Sequence, residues 1–288
     1  MIAKILQPKN LYKACKRVVS NGGSSGVDNM KVTELKEYLS THQSDLIGDI
    51  LNRSYRPDAI RGVGIPKKND ERTIAKGGCL VDIQESEPRS GRAVRLLGIP
   101  TVVDRYLQQS VSQILMTRFE LQLSKYSYGF RPKKNMQQAL IQSLSYINSG
   151  YQDIVDIDLS KFFDEVAHYK ILQLIYETVK CEITLGLIRK WLRAPILIEG
   201  KLCKRRKGLP QGSPLSPLLS NIMLDQLDKY LEGRGYKYVR YADDFSIYTK
   251  SQVEARTIGS EVFLYLKKKL ALPINKEKDL LPHTYYQS

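Results

Sequence analysis

The stretch Tyr238-Val239-Arg240-Tyr241-Ala242-Asp243-Asp244-Phe245-Ser246-Ile247-Tyr248 constrains this chain more than any other. Aromatic and β-branched residues alternate with polar ones on both sides of an Asp-Asp pair. That pattern predicts two strands, with Ala242-Asp243-Asp244 at or beside the turn that joins them. Adjacent carboxylates repel each other and have poor strand propensity, so folding alone does not ask for them there. A hard divalent cation sharing the two would make the arrangement tolerable, and oxygen-only ligands suit Mg2+. Asp is also common in turns, so the pair by itself fits a plain turn equally well.

A second acidic segment bears on that choice. In Asp153-Ile154-Val155-Asp156-Ile157-Asp158-Leu159 the apolar Val155, Ile157 and Leu159 alternate with Asp156 and Asp158. A strand therefore carries both carboxylates on one face. Acid on an interior-looking strand shifts its pKa or needs a cation. Yet the 288-residue chain is strongly basic, with a net charge of +15 and a pI near 9.5. Such an excess implies a polyanionic partner, nucleic acid or a membrane surface. No apolar run reaches spanning length and the N-terminus lacks a signal-peptide core, which disfavours the membrane. Cys15, Cys79, Cys181 and Cys203 are far apart, so neither a zinc site nor a disulfide framework is expected, and reduced cysteines fit a cytoplasmic protein.

Helices are expected over about 10–20, from Asp28 to about Leu39, over Leu46 to Leu51, from Thr101, from Met136 behind an Asn135 cap, over 169–180 and 183–193, after Ser216-Pro217, and over about 253–270. Gly62 to Lys68 and Arg92 to Pro100 read as strands whose basic ends either clamp phosphates or are a solvated hairpin edge kept charged against aggregation. Residues 69–92 between them read as an extended hairpin or inserted loop. Ser127-Tyr128-Gly129-Phe130-Arg131-Pro132-Lys133-Lys134 is a basic loop interleaved with aromatics. It suits stacking on single-stranded nucleic acid, or a buried Tyr-Phe anchor with an incidental basic tail. A hairpin is expected to turn at Glu199-Gly200. The basic run Lys201 to Lys207, with Arg205 and Arg206, then leads into the rigid loop Gly208-Leu209-Pro210-Gln211-Gly212-Ser213-Pro214.

Carboxylates on a strand and at a hairpin, inside a basic chain, suit two Mg2+ ions bridging enzyme and substrate phosphates in nucleotidyl transfer. The residues also carry a resemblance. Tyr241-Ala242-Asp243-Asp244 resembles the signature of reverse transcriptases. Ser25-Gly26-Val27-Asp28, Leu97-Gly98-Ile99-Pro100-Thr101-Val102-Val103-Asp104-Arg105, Ser127 to Pro132, Asp156 to Asp164 and Pro210 to Asn221 follow one another in the order found in group II intron-encoded reverse transcriptases (maturases).

That resemblance implies an α+β, right-hand polymerase of fingers and palm, with an antiparallel palm sheet packed on helices. Residues 1–145 would be mainly fingers and 146–288 mainly palm. The thumb or maturase domain and any DNA-binding or endonuclease domain are expected to be absent. Asp158, Asp243 and Asp244 would be catalytic metal ligands for two Mg2+ ions. Phe163, with Phe162 as the close alternative, would sit under the incoming sugar. Gln211 and Gly212 would line the nucleotide and template pocket, Lys67 and Arg95 would contact the triphosphate, and Lys278 would be a nucleotide-binding lysine of the late palm near the active site. Arg131, Lys133, Lys134, Arg205 and Arg206 would contact nucleic acid. Partners would be an RNA template, a DNA primer, deoxynucleoside triphosphates and the intron RNA whose splicing the protein assists, in the cytoplasm of a bacterium or an organelle. The protein would act away from membranes, with a homodimer as one assembly the reading allows. A binding-only splicing cofactor, or a retron, diversity-generating or CRISPR-associated reverse transcriptase, is the alternative.

Overall fold

A computed structural model describes residues 1–66, 94–159, 161–272 and 283–284. The expected hairpin or loop at 69–92 lies outside the described residues, as do Lys67 and Lys278. Among the described residues the strands are β1 (Ile60–Pro66), β2 (Val94–Ile99), β3 (Asp153–Asp158), β4 (Ile196–Ile198), β5 (Lys201–Cys203), β6 (Lys237–Tyr241), β7 (Asp244–Thr249) and β8 (His283–Thr284). They form two sheets, ordered β2-β1-β4-β5 and β6-β7-β3-β8. No helix among the described residues is long and apolar enough to cross a membrane.

Two compact units share the chain: residues 1–117 with 172–216, and residues 118–171 with 217–288. The chain passes between the units more than once, because 172–216 groups with the N-terminal segment. Pairing explains this. β4 joins β1 in parallel, Ile60 opposite Ile196, and Gly62 lets the strands approach, since a Cβ there would stand 2.8 Å from Ile198 Cγ1. The β4–β5 hairpin turns at Glu199 and Gly200, both at positive φ, as the sequence suggests.

In the first unit the helix Pro8–Asn21 opens on a proline at its first turn. It buries Leu11, Ala14, Cys15 and Val18, a stripe at helical spacing. The expected breaks between residues 28 and 51 shift. A short 3-10 turn at Val32–Glu34 leads directly into one helix, Leu35–Leu51. The second unit packs its sheet against the helices Ser216–Gly233 and Gln252–Tyr265. The former buries Leu218, Leu219, Ile222, Met223, Leu227 and Leu231; the latter buries Ala255, Ile258 and Val262. Each such Leu or Ile contributes about 1.5–3 kcal/mol of transfer free energy. A second cluster, Tyr128, Tyr146, Ile154, Val239 and Tyr248, sits under the helix Met136–Asn148. That helix has the cap expected of Asn135: its side chain accepts from Gln138 N at 2.9 Å, and Gln138 Oε1 accepts from Asn135 N at 3.1 Å. At the start of the helix Ser216–Gly233, the Ser216 hydroxyl donates to Pro210 O at 2.7 Å.

Candidate active site

β6 and β7 pair antiparallel with Tyr241 opposite Asp244, so Ala242 and Asp243 form a two-residue turn. On its other side β7 pairs with β3, placing Asp158 opposite Asp244. Opposed residues of such a ladder have Cα atoms about 4.5–5.5 Å apart. Three acidic positions thus gather at one end of the sheet: the last residue of β3, the first of β7, and the turn residue before it. Asp156 is separate. It lies opposite Ser246, accepts that hydroxyl's hydrogen bond, and is exposed. The alternation read from the sequence holds, with Val155, Ile157 and Leu159 buried.

The turn is strained. Ala242 has φ 59°, a left-handed conformation that two-residue hairpins usually give to Gly. A non-Gly residue there costs on the order of 1–3 kcal/mol and persists only where its surroundings over-determine it. Those surroundings are specific. The segment Tyr126 to Tyr128 lies alongside β6: Tyr128 N donates to Arg240 O at 2.9 Å, and Arg240 N donates to Tyr126 O at 3.0 Å. Gly129 follows, and a Cβ on it would stand 2.3 Å from Ala242 N. Only glycine fits against the turn.

Beneath lies Arg240, which is fully buried. Its guanidinium forks onto Asp228, with Nε to Oδ1 at 2.9 Å and Nη2 to Oδ2 at 2.5 Å. Its Nη1 donates to Ala242 O at 2.7 Å and to Asn221 Oδ1 at 3.1 Å. Asn221 Nδ2 in turn donates to Gly129 O at 2.9 Å. Burial works against the guanidinium's charge, but Asp228 beside it outweighs that, and the Arg240 pKa lies above its ordinary value.

A hard cation suits this donor set. Asp158, Asp243 and Asp244 offer carboxylate oxygens alone, the ligands Mg2+ takes. Register supplies their proximity, since the Asp158 side chain lies outside the described atoms. Among the described residues no three His, Cys, Asp or Glu side chains form a metal-holding group.

The other expected site residues fall out as follows. Phe162 is buried in the core while Phe163 is half-buried, their rings edge to face at 5.4 Å. In the other unit, Arg95 lies on β2 opposite Ile65. Gln211 O accepts from Gly98 N at 2.8 Å. Gly212, at φ 124°, would bring a Cβ to 2.7 Å from Gly98 O, so this loop packs on β2 where glycine alone is allowed.

The residues expected to contact nucleic acid differ in their surroundings. Arg131 is an anchor: its guanidinium forks onto Glu120, with Nη2 at 2.8 Å from Oε1, while Nη1 donates to Ser127 O at 2.7 Å and also to Ser124 O. Burial and these bonds commit most of its guanidinium to the protein itself. Lys134 is half-engaged, donating to Lys125 O at 3.0 Å and standing 4.7 Å over the Tyr128 ring. Burial, with Arg131 close by, lowers its pKa. Lys133 and Arg206 are exposed, whereas Arg205 donates to Gly208 O at 2.8 Å.

Sequence reasoning overlooked two buried charges. Arg240 stands in the sequence as one polar position of an alternating strand. Asp104 accepts from Tyr55 Oη at 2.7 Å, Trp191 Nε1 at 2.8 Å, Thr101 Oγ1 at 3.0 Å and Asp58 N at 3.1 Å. Burial raises its pKa even against those four donors. An acid just inside an apolar helix, after a Thr, was the available signal for it.

The family model for reverse transcriptase (RNA-dependent DNA polymerase) matches residues 74–281. Protein YkfC of Escherichia coli (strain K12) is 28% identical over 98% of this chain and 79% of its own length. The group II intron-encoded protein LtrA of Lactococcus lactis subsp. cremoris is 26% identical over 97% of this chain, which spans 54% of LtrA. Among solved structures, a partial Cas6-RT-Cas1–Cas2 complex is similar, with TM-score 0.51 and 26% identity, covering 92% of this chain and 42% of that one. The matched segment contains both β3 and the Ala242-Asp243 turn, and the chain belongs to the reverse transcriptase family.

Proposed function

We propose that this chain extends a DNA primer on an RNA template, with Asp158, Asp243 and Asp244 as ligands of two Mg2+ ions, and that it belongs to the group II intron branch, binding intron RNA to assist splicing and mobility. The observation that carries the catalytic part is the register that sets Asp158 opposite Asp244, one residue from Asp243. When bound, Mg2+ supplies charge stabilisation for the attacking 3′-hydroxyl, the transferred phosphoryl group and the leaving pyrophosphate. The protein's own share is positioning: nucleotidyl transfer asks for alignment and electrostatics more than for covalent catalysis. The turn supplies Asp243, the strand ends supply Asp158 and Asp244, and the packing beneath them keeps that spacing during turnover.

Phe163 is the better of the two candidates for a surface under the sugar, since Phe162 is committed to the core. Gln211 and Gly212 remain candidates for the nucleotide pocket, Lys67, Arg95 and Lys278 for the triphosphate end, and Lys133 and Arg206 for nucleic-acid phosphates. A net charge of +15 supports a polyanionic partner. In the intron branch the likeness to LtrA supports an intron RNA as that partner. A CRISPR-associated role is the second reading, favoured by the likeness to the Cas6-RT-Cas1–Cas2 chain.

The test is primer extension on an RNA template with deoxynucleoside triphosphates. Extension should require Mg2+, stop with a chelator and resume when Mg2+ is restored. Tightening of RNA binding without any extension by the parent chain would favour a splicing cofactor instead.

A further inference from the structure

We propose that Arg240, Asp228, Asn221 and Gly129 form a clamp that sets the pitch of the Ala242–Asp243 peptide, and so position Asp243 for metal without touching metal or substrate. The inference rests on the reading of Asp243 as a metal ligand and identifies what holds it there.

Three observations converge on Ala242, the residue just before Asp243. Arg240 Nη1 donates to Ala242 O, the carbonyl of the peptide that carries Asp243. Gly129 packs against Ala242 itself, with no room for a Cβ beside Ala242 N. Asn221 ties the two jaws together, accepting from Arg240 and donating to Gly129 O. The peptide they hold follows a left-handed alanine, which would relax without such constraint. Arg suits the task because its planar fork can bind a carboxylate on one edge and still donate elsewhere. Asp228 takes that edge, neutralising the charge and aiming the remaining Nη1 hydrogens at Ala242 O and Asn221 Oδ1. Lysine at this position would keep the charge and lose the geometry. The device puts a buried ion pair at the base of a surface turn, where a hydrophobic pair would give stability at least as well. Its advantage over a hydrophobic pair is aim.

The test uses the full chain and four variants: Arg240→Lys, Asn221→Ala, the comparator Val262→Ala, and Asp243→Ala. Val262 is buried in the same unit on the helix Gln252–Tyr265, away from the turn. Two readouts are taken: hydrogen exchange of peptides spanning 238–248, and the rise in melting temperature with Mg2+ alone. Losing a charge-assisted hydrogen bond changes a local opening equilibrium by roughly tenfold or more. Arg240→Lys and Asn221→Ala should therefore speed exchange at the turn about tenfold while leaving the 252–265 peptides unchanged. The Mg2+ concentration for half-maximal stabilisation should rise several-fold. Val262→Ala should lower the melting temperature without either effect. Turn exchange and Mg2+ midpoint equal to the parent's in Asn221→Ala would overturn the proposal. So would changes that Val262→Ala reproduces. If Arg240→Lys does not fold, Asn221→Ala decides, since it leaves the Arg240–Asp228 pair in place. Asp243→Ala separates the two readings. Wild-type extension by that variant would sink the metal-ligand assignment, whereas the exchange data would still report on the clamp.

Discussion

Arg240 and Asp228 are both wholly inaccessible to solvent, a setting in which an ion pair is a weak source of net stability but an expensive thing to break. Asp228→Ala should therefore lower unfolding free energy by about 3–5 kcal/mol, measured by urea denaturation. Asp104 makes a comparable demand without a cation: its four neutral donors need an acceptor on both oxygens. Asp104→Asn would turn an NH2 either toward Tyr55 and Trp191 or toward Thr101 and Asp58 N, and we expect a loss of about 1–3 kcal/mol. Neither charge was legible beforehand, for the same reason in both cases. A buried ion reads as a surface residue until its partner is known, and the partner of Arg240 lies on a different element. The available signal was Asp228 itself, set between Leu224 and Leu231 on the apolar face of its helix, where an acid should not sit unpaired.

The β6–β7 hairpin shows which features of an element are local. Period-2 patterning placed β6 and β7, and the Asn135 capping box could be read from three residues, because both are set by near neighbours along the chain. The turn's backbone was not readable, since alanine at φ 59° is held by residues from two other segments. Its strain makes a prediction at this scale. Ala242→Gly removes the left-handed penalty at the cost of chain entropy, so stability should stay level or rise by up to about 1 kcal/mol in thermal unfolding. Gly129→Ala acts on the same turn from outside. Its added methyl must displace backbone, and a loss of about 1–3 kcal/mol is expected. The basic loop that contains Gly129 was open between an anchor and a nucleic-acid platform, and Arg131 and Tyr128 place those two residues with the anchor.

At the scale of the whole chain, the reading of an α+β polymerase came from ordered sequence blocks and agrees with the fold of its relatives. The division into units did not follow from the sequence. A boundary is easiest to see as a change in composition, whereas 172–216 joins the first unit through β4 pairing with β1, a contact between distant positions that leaves no compositional trace. Net charge, in contrast, needs no fold to be read. With +15 spread over 288 residues, RNA binding should weaken by roughly 10³-fold or more between about 50 and 200 mM salt, as counterion release requires. The slope is measurable by filter binding or fluorescence anisotropy, and a flat salt response would contradict a phosphate-dominated interface.

The measurement that bears most directly on the acidic end of the β6-β7-β3 sheet is single-nucleotide extension of a DNA primer, at saturating RNA template and Mg2+, by the parent chain and by Asp243→Ala. Loss of a preorganised charge-stabilising group typically costs roughly 10²–10³-fold in turnover. A fall of at least that size, with template–primer affinity unchanged, is the predicted result. Equal extension by the two proteins would contradict the assignment of Asp243, and with it the metal site proposed at Asp158, Asp243 and Asp244.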